Sequence, residues 1–283
     1  MKIYFAGADG VRFIRPLLTV GVKYALTSYE AWNNKGNNHS DLFNSLPYNE
    51  FESVIVDSGL FSYLWGKKAH IEYDKNFYYT YLDNYCKFIE RSKFENMRYV
   101  ELDVQEKLGV DFAWELRDKL VGRFDKNKII NVVHVVDGDP TNLIVYADYL
   151  AVSVTPTIKK YGKEYYYKYI NFIYKKALTS NTKIHLFGVT RPDDVTLCYG
   201  ATSCDSTSWL AQVKWGNFKG HNYFYGKGGC LDVRSRDEVI ALMSDIERGM
   251  GTRFAGIPSE RQFLYAAYTA FLYYQNIDPN TVN

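Results

Sequence analysis

Three observations predict an α/β chain closed into a (β/α)8 barrel. Eight short apolar runs recur along the sequence, several of the intervals carry helical patterns, and three of the runs end in a carboxylate. Runs that are apolar without alternating belong to strands buried on both faces of a parallel sheet. Strand–helix alternation repeated about eight times favours a closed barrel over an open sheet.

Taken in order, the chain enters its first run at residues 3–6 and leaves it through the glycine-containing stretch 7–10, which matches no phosphate-loop or dinucleotide fingerprint. The second run is 24–28. The third, 54–56, leads into Asp57-Ser58-Gly59. Residues 74–89 read as a helix, with Phe77, Tyr81, Tyr85 and Phe88 on one stripe. The fourth run, 99–102, leads into Asp103, and 112–120 is again helical. The fifth run, 129–135, contains His134, and Asp139-Pro140 marks a helix start. The sixth run is 149–154, the basic, tyrosine-rich stretch 159–176 has the spacing of an outer barrel helix, and the seventh run is 184–187. Thr190-Arg191-Pro192-Asp193 supplies a capping residue, a first-turn proline and an acid three residues after the threonine. The eighth run, 201–204, leads into Asp205. Residues 258–274 form an extra C-terminal amphipathic helix, with Leu264, Tyr268 and Phe271 aligned, that closes the bottom or side of the barrel. No linker, low-complexity tract or repeat interrupts 1–283, so the expectation is one domain.

Composition narrows the function classes. With 47% hydrophobic and 23% charged residues, the chain has a soluble globular make-up, and no apolar run reaches membrane-spanning length. A net charge of +2 does not by itself mark a nucleic-acid binder. The 26 tyrosines fit either a wet core or a base-binding surface. Four dispersed cysteines without a CxxC pair, and a start that runs straight into a strand, point to reduced thiols in the cytoplasm. The five histidines are scattered and none has zinc-ligand spacing, so no metal and no other cofactor is expected.

The chemistry-bearing candidates sit at strand ends, which in such a barrel face one shared mouth. Asp205, in Ser203-Cys204-Asp205-Ser206-Thr207-Ser208-Trp209, fits a nucleophile or a stabiliser of a developing cation; an N-cap for a following helix fits as well. In Asp57-Ser58-Gly59-Leu60-Phe61-Ser62 the glycine permits a tight turn or close ligand approach, and Phe61 can lie over a flat substrate; an ordinary strand-to-helix turn reads the same way. His134 needs a polar partner on a strand buried on both sides, and a pocket or a core contact would provide one. His185 is similar but further from its strand end. Lys214, Trp215, Lys219 and Lys227, in the segment 214–227, interleave cations with aromatics as single-strand binders do, and as a β-hairpin with snorkelling lysines also would.

The order of these motifs resembles the tRNA-guanine transglycosylase superfamily. Asp57-Ser58-Gly59-Leu60-Phe61-Ser62 resembles its DSGGFQ-type motif, and His185-Leu186-Phe187-Gly188-Val189-Thr190-Arg191-Pro192-Asp193-Asp194 resembles its LMGVGxPxD segment. Cys204-Asp205-Ser206 falls where the family carries its nucleophilic aspartate. The form with Asp-Ser-Thr-Ser-Trp is similar to the short phage and bacterial relatives that place 7-deazaguanines into DNA. The resemblance implies a TIM-like barrel and exchange of guanine for a free 7-deazaguanine such as 7-cyano-7-deazaguanine. Asp205 would attack C1′ and Asp57 would act as general acid and base. Asp103 would read the base edge, Phe61 and Phe187 would sandwich the ring, and Ser58, His134, Ser153 and Gly188 would line the base site. His134 stands near a family glutamine and Ser153 near a family glycine. The zinc-bearing region of the tRNA enzymes has no counterpart, since only Cys230 and His221 follow Asp205. This chain is therefore expected to have no zinc subdomain and to act on DNA, with tRNA as the alternative polymer and a non-catalytic nucleic-acid-binding barrel as the second alternative.

Overall fold

The computed structural model describes residues 1–36, 38–66, 68–189, 200–210, 217–218 and 221–222, together with 248, 263–264, 266–268 and 270–271. Eight parallel strands close on themselves in sequence order: β1 (Lys2–Ala6), β2 (Tyr24–Ser28), β3 (Ser53–Asp57), β4 (Met97–Val100), β5 (Ile129–Val133), β6 (Tyr149–Ser153), β7 (Lys183–Phe187) and β8 (Ser203–Ser206). Each predicted run contributes one strand. The ring is sealed by β1 against β8, with Lys2 opposite Ser203 and Tyr4 opposite Asp205.

Helices fill the intervals from β1 to β7. They are α1 (Val11–Thr19), α2 (Tyr29–Asn33), α3 (His39–Asn44), α4 (Phe61–Leu64), α5 (Lys75–Arg91), α6 (Gln105–Leu108), α7 (Val110–Val121), α8 (Thr141–Tyr146), α9 (Val154–Tyr161) and α10 (Lys163–Ser180). Asp74 starts α5 by accepting from the Phe77 N–H at 2.9 Å, as an N-cap should. Asp139 likewise accepts from the Thr141 N–H at the start of α8. Asn181 ends α10 in the left-handed conformation.

Because successive side chains alternate across a strand, one face of each strand points into the barrel and the other packs on helices. The outer face makes the large core. On it, α5 buries Tyr78, Tyr81, Leu82, Tyr85, Cys86, Phe88 and Ile89, and α10 buries Tyr166, Tyr169, Ile170, Ile173, Tyr174 and Ala177. The inner face makes a smaller cluster that includes Tyr4, Tyr24, Ile55, Val100, Ile130, Val132, Tyr149 and Ala151. Its lower layers are unusually polar. Tyr4 donates to Ser53 Oγ at 3.0 Å, Arg98 also reaches Ser53, and Tyr149 shares a short hydrogen bond with Ser203.

Twelve tyrosines among the described residues are buried. Buried hydroxyls on the loops and outer helices hold carbonyls at the ends of the strands: Tyr48 that of Ala8, Tyr81 that of Ser58, Tyr85 that of Val56 and Tyr169 that of His134. Each such bond contributes about 1 kcal/mol net. Together they fix the backbone from which the mouth is built. Where the C-terminal helix was expected, the described residues are helical and place Phe263 against Phe13 of α1 and near Trp209, so these residues pack on the side of the barrel.

Three strands differ from expectation by two residues at an end, and one expected helix is divided. β8 runs Ser203–Ser206 rather than 201–204, so Asp205 lies inside the strand and not after it. The stretch 159–176 is split at Gly162, with φ of 86°, into the end of α9 and most of α10. β4 stops at Val100, so Asp103 lies three residues beyond the strand, in the turn before α6. β5 stops at Val133, and His134 instead opens a 3-10 turn over Val135–Asp137, its N–H donating to the Asp137 carboxylate at 2.7 Å. An apolar stretch carries no mark of where its ladder bonds end, and here the Asp137 side chain takes over the bonding.

Candidate active site

The C-terminal ends of the strands form a mouth that collects carboxylates. Asp57 is the last residue of β3, and its inward direction follows from that of Ile55 two residues earlier. Its Oδ2 accepts from the Gly59 N–H at 3.3 Å. Gly59 has φ of 79°, and a Cβ there would stand 2.4 Å from the Glu30 Cβ and 2.6 Å from Ser28 Oγ. Only glycine allows this turn, which explains the residue that follows Asp57-Ser58. Burial pushes the Asp57 carboxyl up to about 7. The charges of Asp103 and then Asp205 add to the rise, and the Gly59 and Ser58 N–H groups oppose it. Asp57 therefore changes protonation near neutrality, the property a group needs to give and take a proton in one cycle.

Asp205 is 7% exposed, near the end of β8. One of its oxygens, Oδ1, accepts from His185 Nε2 at 3.1 Å and from the Gly188 N–H at 3.1 Å. Gly188 follows β7 and turns the chain away with φ of 74°. Oδ2 has no hydrogen-bond partner among the described residues and is the oxygen left for an electrophile. Behind it, His185 Nδ1 meets Ser203 Oγ at 2.6 Å, and Ser203 meets the Tyr149 hydroxyl. The His185 ring is fully buried, edge-on to Phe187 at 4.8 Å and to Tyr4 at 5.7 Å. A chain of hydrogen bonds thus anchors Asp205 to the barrel interior.

The third carboxylate, Asp103, lies beside His134, with Nε2 to Oδ2 at 3.5 Å; Glu106 stands 3.9 Å from the other ring nitrogen. Burial works against charge on this ring. The adjacent Asp103 carboxylate, with the charges of Asp137 and Glu106, outweighs it and holds His134 above the usual imidazole value. Lys160 from α9 pairs with Glu106 at 3.2 Å.

The remaining expected residues fall around this centre. Phe187 ends β7 next to His185, and Ser153 ends β6. Ser58 is buried, its hydroxyl without a partner among the described residues, and its carbonyl is held by Tyr81. Phe61 opens α4 and is 55% exposed. Lys214, Trp215, Lys219 and Lys227 lie outside the described residues. Within the same segment, β9 (Asn217–Phe218) pairs antiparallel with β10 (His221–Asn222), the ladder of a hairpin. The expected helix cap at Thr190-Arg191-Pro192-Asp193 also lies outside the described residues.

Three members of the mouth were not singled out from the sequence, or were ranked too low. Asp9 follows β1 by three residues, as Asp103 follows β4; it accepts from Thr27 Oγ1 at 2.7 Å and from the Ser28 N–H, and burial raises its carboxyl. The signal was the repeated offset, hidden inside a stretch read only for its glycines. Glu106 follows Asp103 at a spacing of three. His185 carries the direct bond to Asp205; it shares strand parity with Phe187, which already marked the inward face.

Among the described residues, no group of three His, Cys, Asp or Glu side chains is placed to hold a metal ion, and no helix is long and apolar enough to cross a membrane. No protein-family model matches the chain, and no curated protein matches it.

Proposed function

We propose that the mouth catalyses base exchange: guanine in DNA is replaced by a 7-deazaguanine through a covalent aspartyl-sugar intermediate. The observation that carries this reading is the division between two carboxylates. Asp205 has one oxygen pinned by two N–H donors and the other open, whereas Asp57, buried and under the charges of Asp103 and Asp205, titrates near neutrality.

In the first half of the reaction Asp205 Oδ2 bonds to C1′ as the bond from C1′ to the guanine nitrogen breaks, and Asp57 gives its proton to the departing base. In the second half the incoming base loses a proton to Asp57 and its nitrogen bonds to C1′ as the Asp205 ester breaks. Two displacements retain the anomeric configuration. Asp57 ends protonated as it began, and no energy source is required. Asp103, with His134 held beside it, offers an acceptor to the N–H edge of a guanine-type base. Ser153, Phe187 and Gly188 line the same site and Phe61 stands at its rim, while Ser58, whose side chain is buried, serves through its backbone N–H toward Asp57. The target base must leave its stack to reach the mouth, at a cost of a few kcal/mol when paired.

Nucleoside mass spectrometry tests the proposal. The protein is incubated with free 7-cyano-7-deazaguanine and single-stranded DNA, duplex DNA or tRNA. Modified deoxynucleoside is expected with wild type and none with Asp205→Asn. Modified ribonucleoside alone would move the polymer to tRNA, and full exchange by Asp205→Asn would remove the nucleophile.

A further inference from the structure

The mouth is rich in carboxylates, so a polyanion needs cations around it to approach. One side of the rim supplies them, interleaved with exposed rings. Trp65, just past α4, is 42% exposed, and the Lys107 ammonium of α6 sits 4.5 Å over its ring. The neighbouring Glu106 is paired with Lys160 of α9, which joins the turn after β4 to the turn after β6. Lys160 lies 5.1 Å over Tyr161, and Tyr161 packs on Tyr165 at 5.0 Å and 30°. Tyr165 is 41% exposed, and its ring runs parallel to Tyr169 at 16°. Tyr169 in turn holds the backbone carbonyl of His134, beside the base site. Lys159, exposed on α9, adds a further charge.

We infer that this rim is a track for the single-stranded DNA that flanks the target guanine, with neighbouring bases stacked on Trp65 and Tyr165 and phosphates on Lys107, Lys159 and Lys160. Packing covers these rings only in part: Tyr165 contacts Tyr161 and Tyr169 yet stays 41% exposed, and Trp65, under Lys107, stays 42% exposed. Flat exposed rings interleaved with ammonium groups suit unpaired bases and their backbone, because every base presents a face to stack. A duplex already stacks its bases and would leave the rings unused. Glu106 and Lys160 offset each other, which leaves Lys107 and Lys159 as rim cations without an ion pair among the described residues. The choice of DNA over RNA rests on the exchange reading; the track itself does not.

Fluorescence anisotropy with a labelled 12-nucleotide oligodeoxynucleotide carrying one central guanine tests the track. Trp65→Ala and Tyr165→Ala should each weaken binding about fivefold or more. Lys107→Ala and Lys159→Ala should each lower the slope of log affinity against log salt by about 0.7. Lys119→Ala, on α7 at the far end of the barrel, should change neither. Circular dichroism confirms that the exposed-site variants fold. Unchanged affinity in both aromatic variants overturns the track, as does a preference for duplex. Tighter binding of the matching oligoribonucleotide, with the same variant pattern, overturns the assignment to DNA. Binding needs no deazaguanine, so the two readings separate: the predicted variant losses with no exchange in wild type keep the track and reject the exchange, and exchange with unaffected variants does the reverse.

Discussion

Replacing Asp57 with asparagine should disable the site and stabilise the fold, and the size of the gain should depend on pH. In the folded chain the Asp57 carboxyl is pushed from 3.8 up to about 7, first by burial and then by Asp103 and Asp205. A difference of this size is worth about 4 kcal/mol between the two protonation states. The sign follows from proton counting. Between pH 4 and 7 the folded state keeps a proton that the unfolded state has lost, so stability falls as pH rises through that window, and the full cost is present above pH 7. Asparagine keeps an oxygen for the Gly59 N–H and never ionises, so it removes the cost. Relative to wild type, Asp57→Asn should gain about 2.5 kcal/mol more at pH 8 than at pH 5. Water reaching the partly open carboxylate makes this an upper figure. Urea unfolding at the two pH values, with an exchange assay alongside, measures it. Equal gains at both pH values, or a less stable variant at pH 8, would refute a carboxyl strained by its neighbours.

Two further substitutions probe the same mouth. His185→Phe keeps the ring packing against Tyr4 and Phe187 but removes the donor from Asp205 Oδ1; kcat for exchange should fall about 10²-fold with little change in KM, and a wild-type kcat would deny His185 its role in orienting the carboxylate. Gly59→Ala forces a Cβ to 2.4 Å from Glu30 at a positive φ, so it should cost roughly 2–5 kcal/mol in chemical unfolding. A loss under about 1 kcal/mol would show that the turn can relax.

The barrel was legible because parallel strands buried on both faces leave short unbroken apolar runs, and all eight could be read. Helices α5, α7 and α10 were legible because each is long enough to show a stripe. Helices α2 and α3 were not. At five and six residues they are too short for periodicity, and what holds them is the contact of Trp32 with Phe43 and of Phe43 with Phe88, from residues distant in sequence. Of the site, the carboxylates were legible from position, since a charge ending an apolar run is conspicuous. The partners that give them different properties were not. That His185 bonds Asp205, or that Asp103 raises Asp57, depends on strand neighbours meeting across the closed ring. Asp9 and Glu106 were not legible because neither ends an apolar run: Asp9 lies in the turn after β1 and Glu106 in the one-turn helix α6, where an acidic residue is unremarkable.

The polar interior has a consequence for how this chain can change. In a barrel filled with aliphatic layers, residues below the mouth can be repacked for stability without disturbing the chemistry above. Here Tyr149, Ser203 and His185 are at once filling material and the mounting of Asp205. Selection for heat resistance would favour leucine or isoleucine at these positions, and each such exchange would loosen the carboxylate directly above. Thermostable descendants of this barrel that remain active should therefore carry their improvements on the outer helices and leave the lumen untouched.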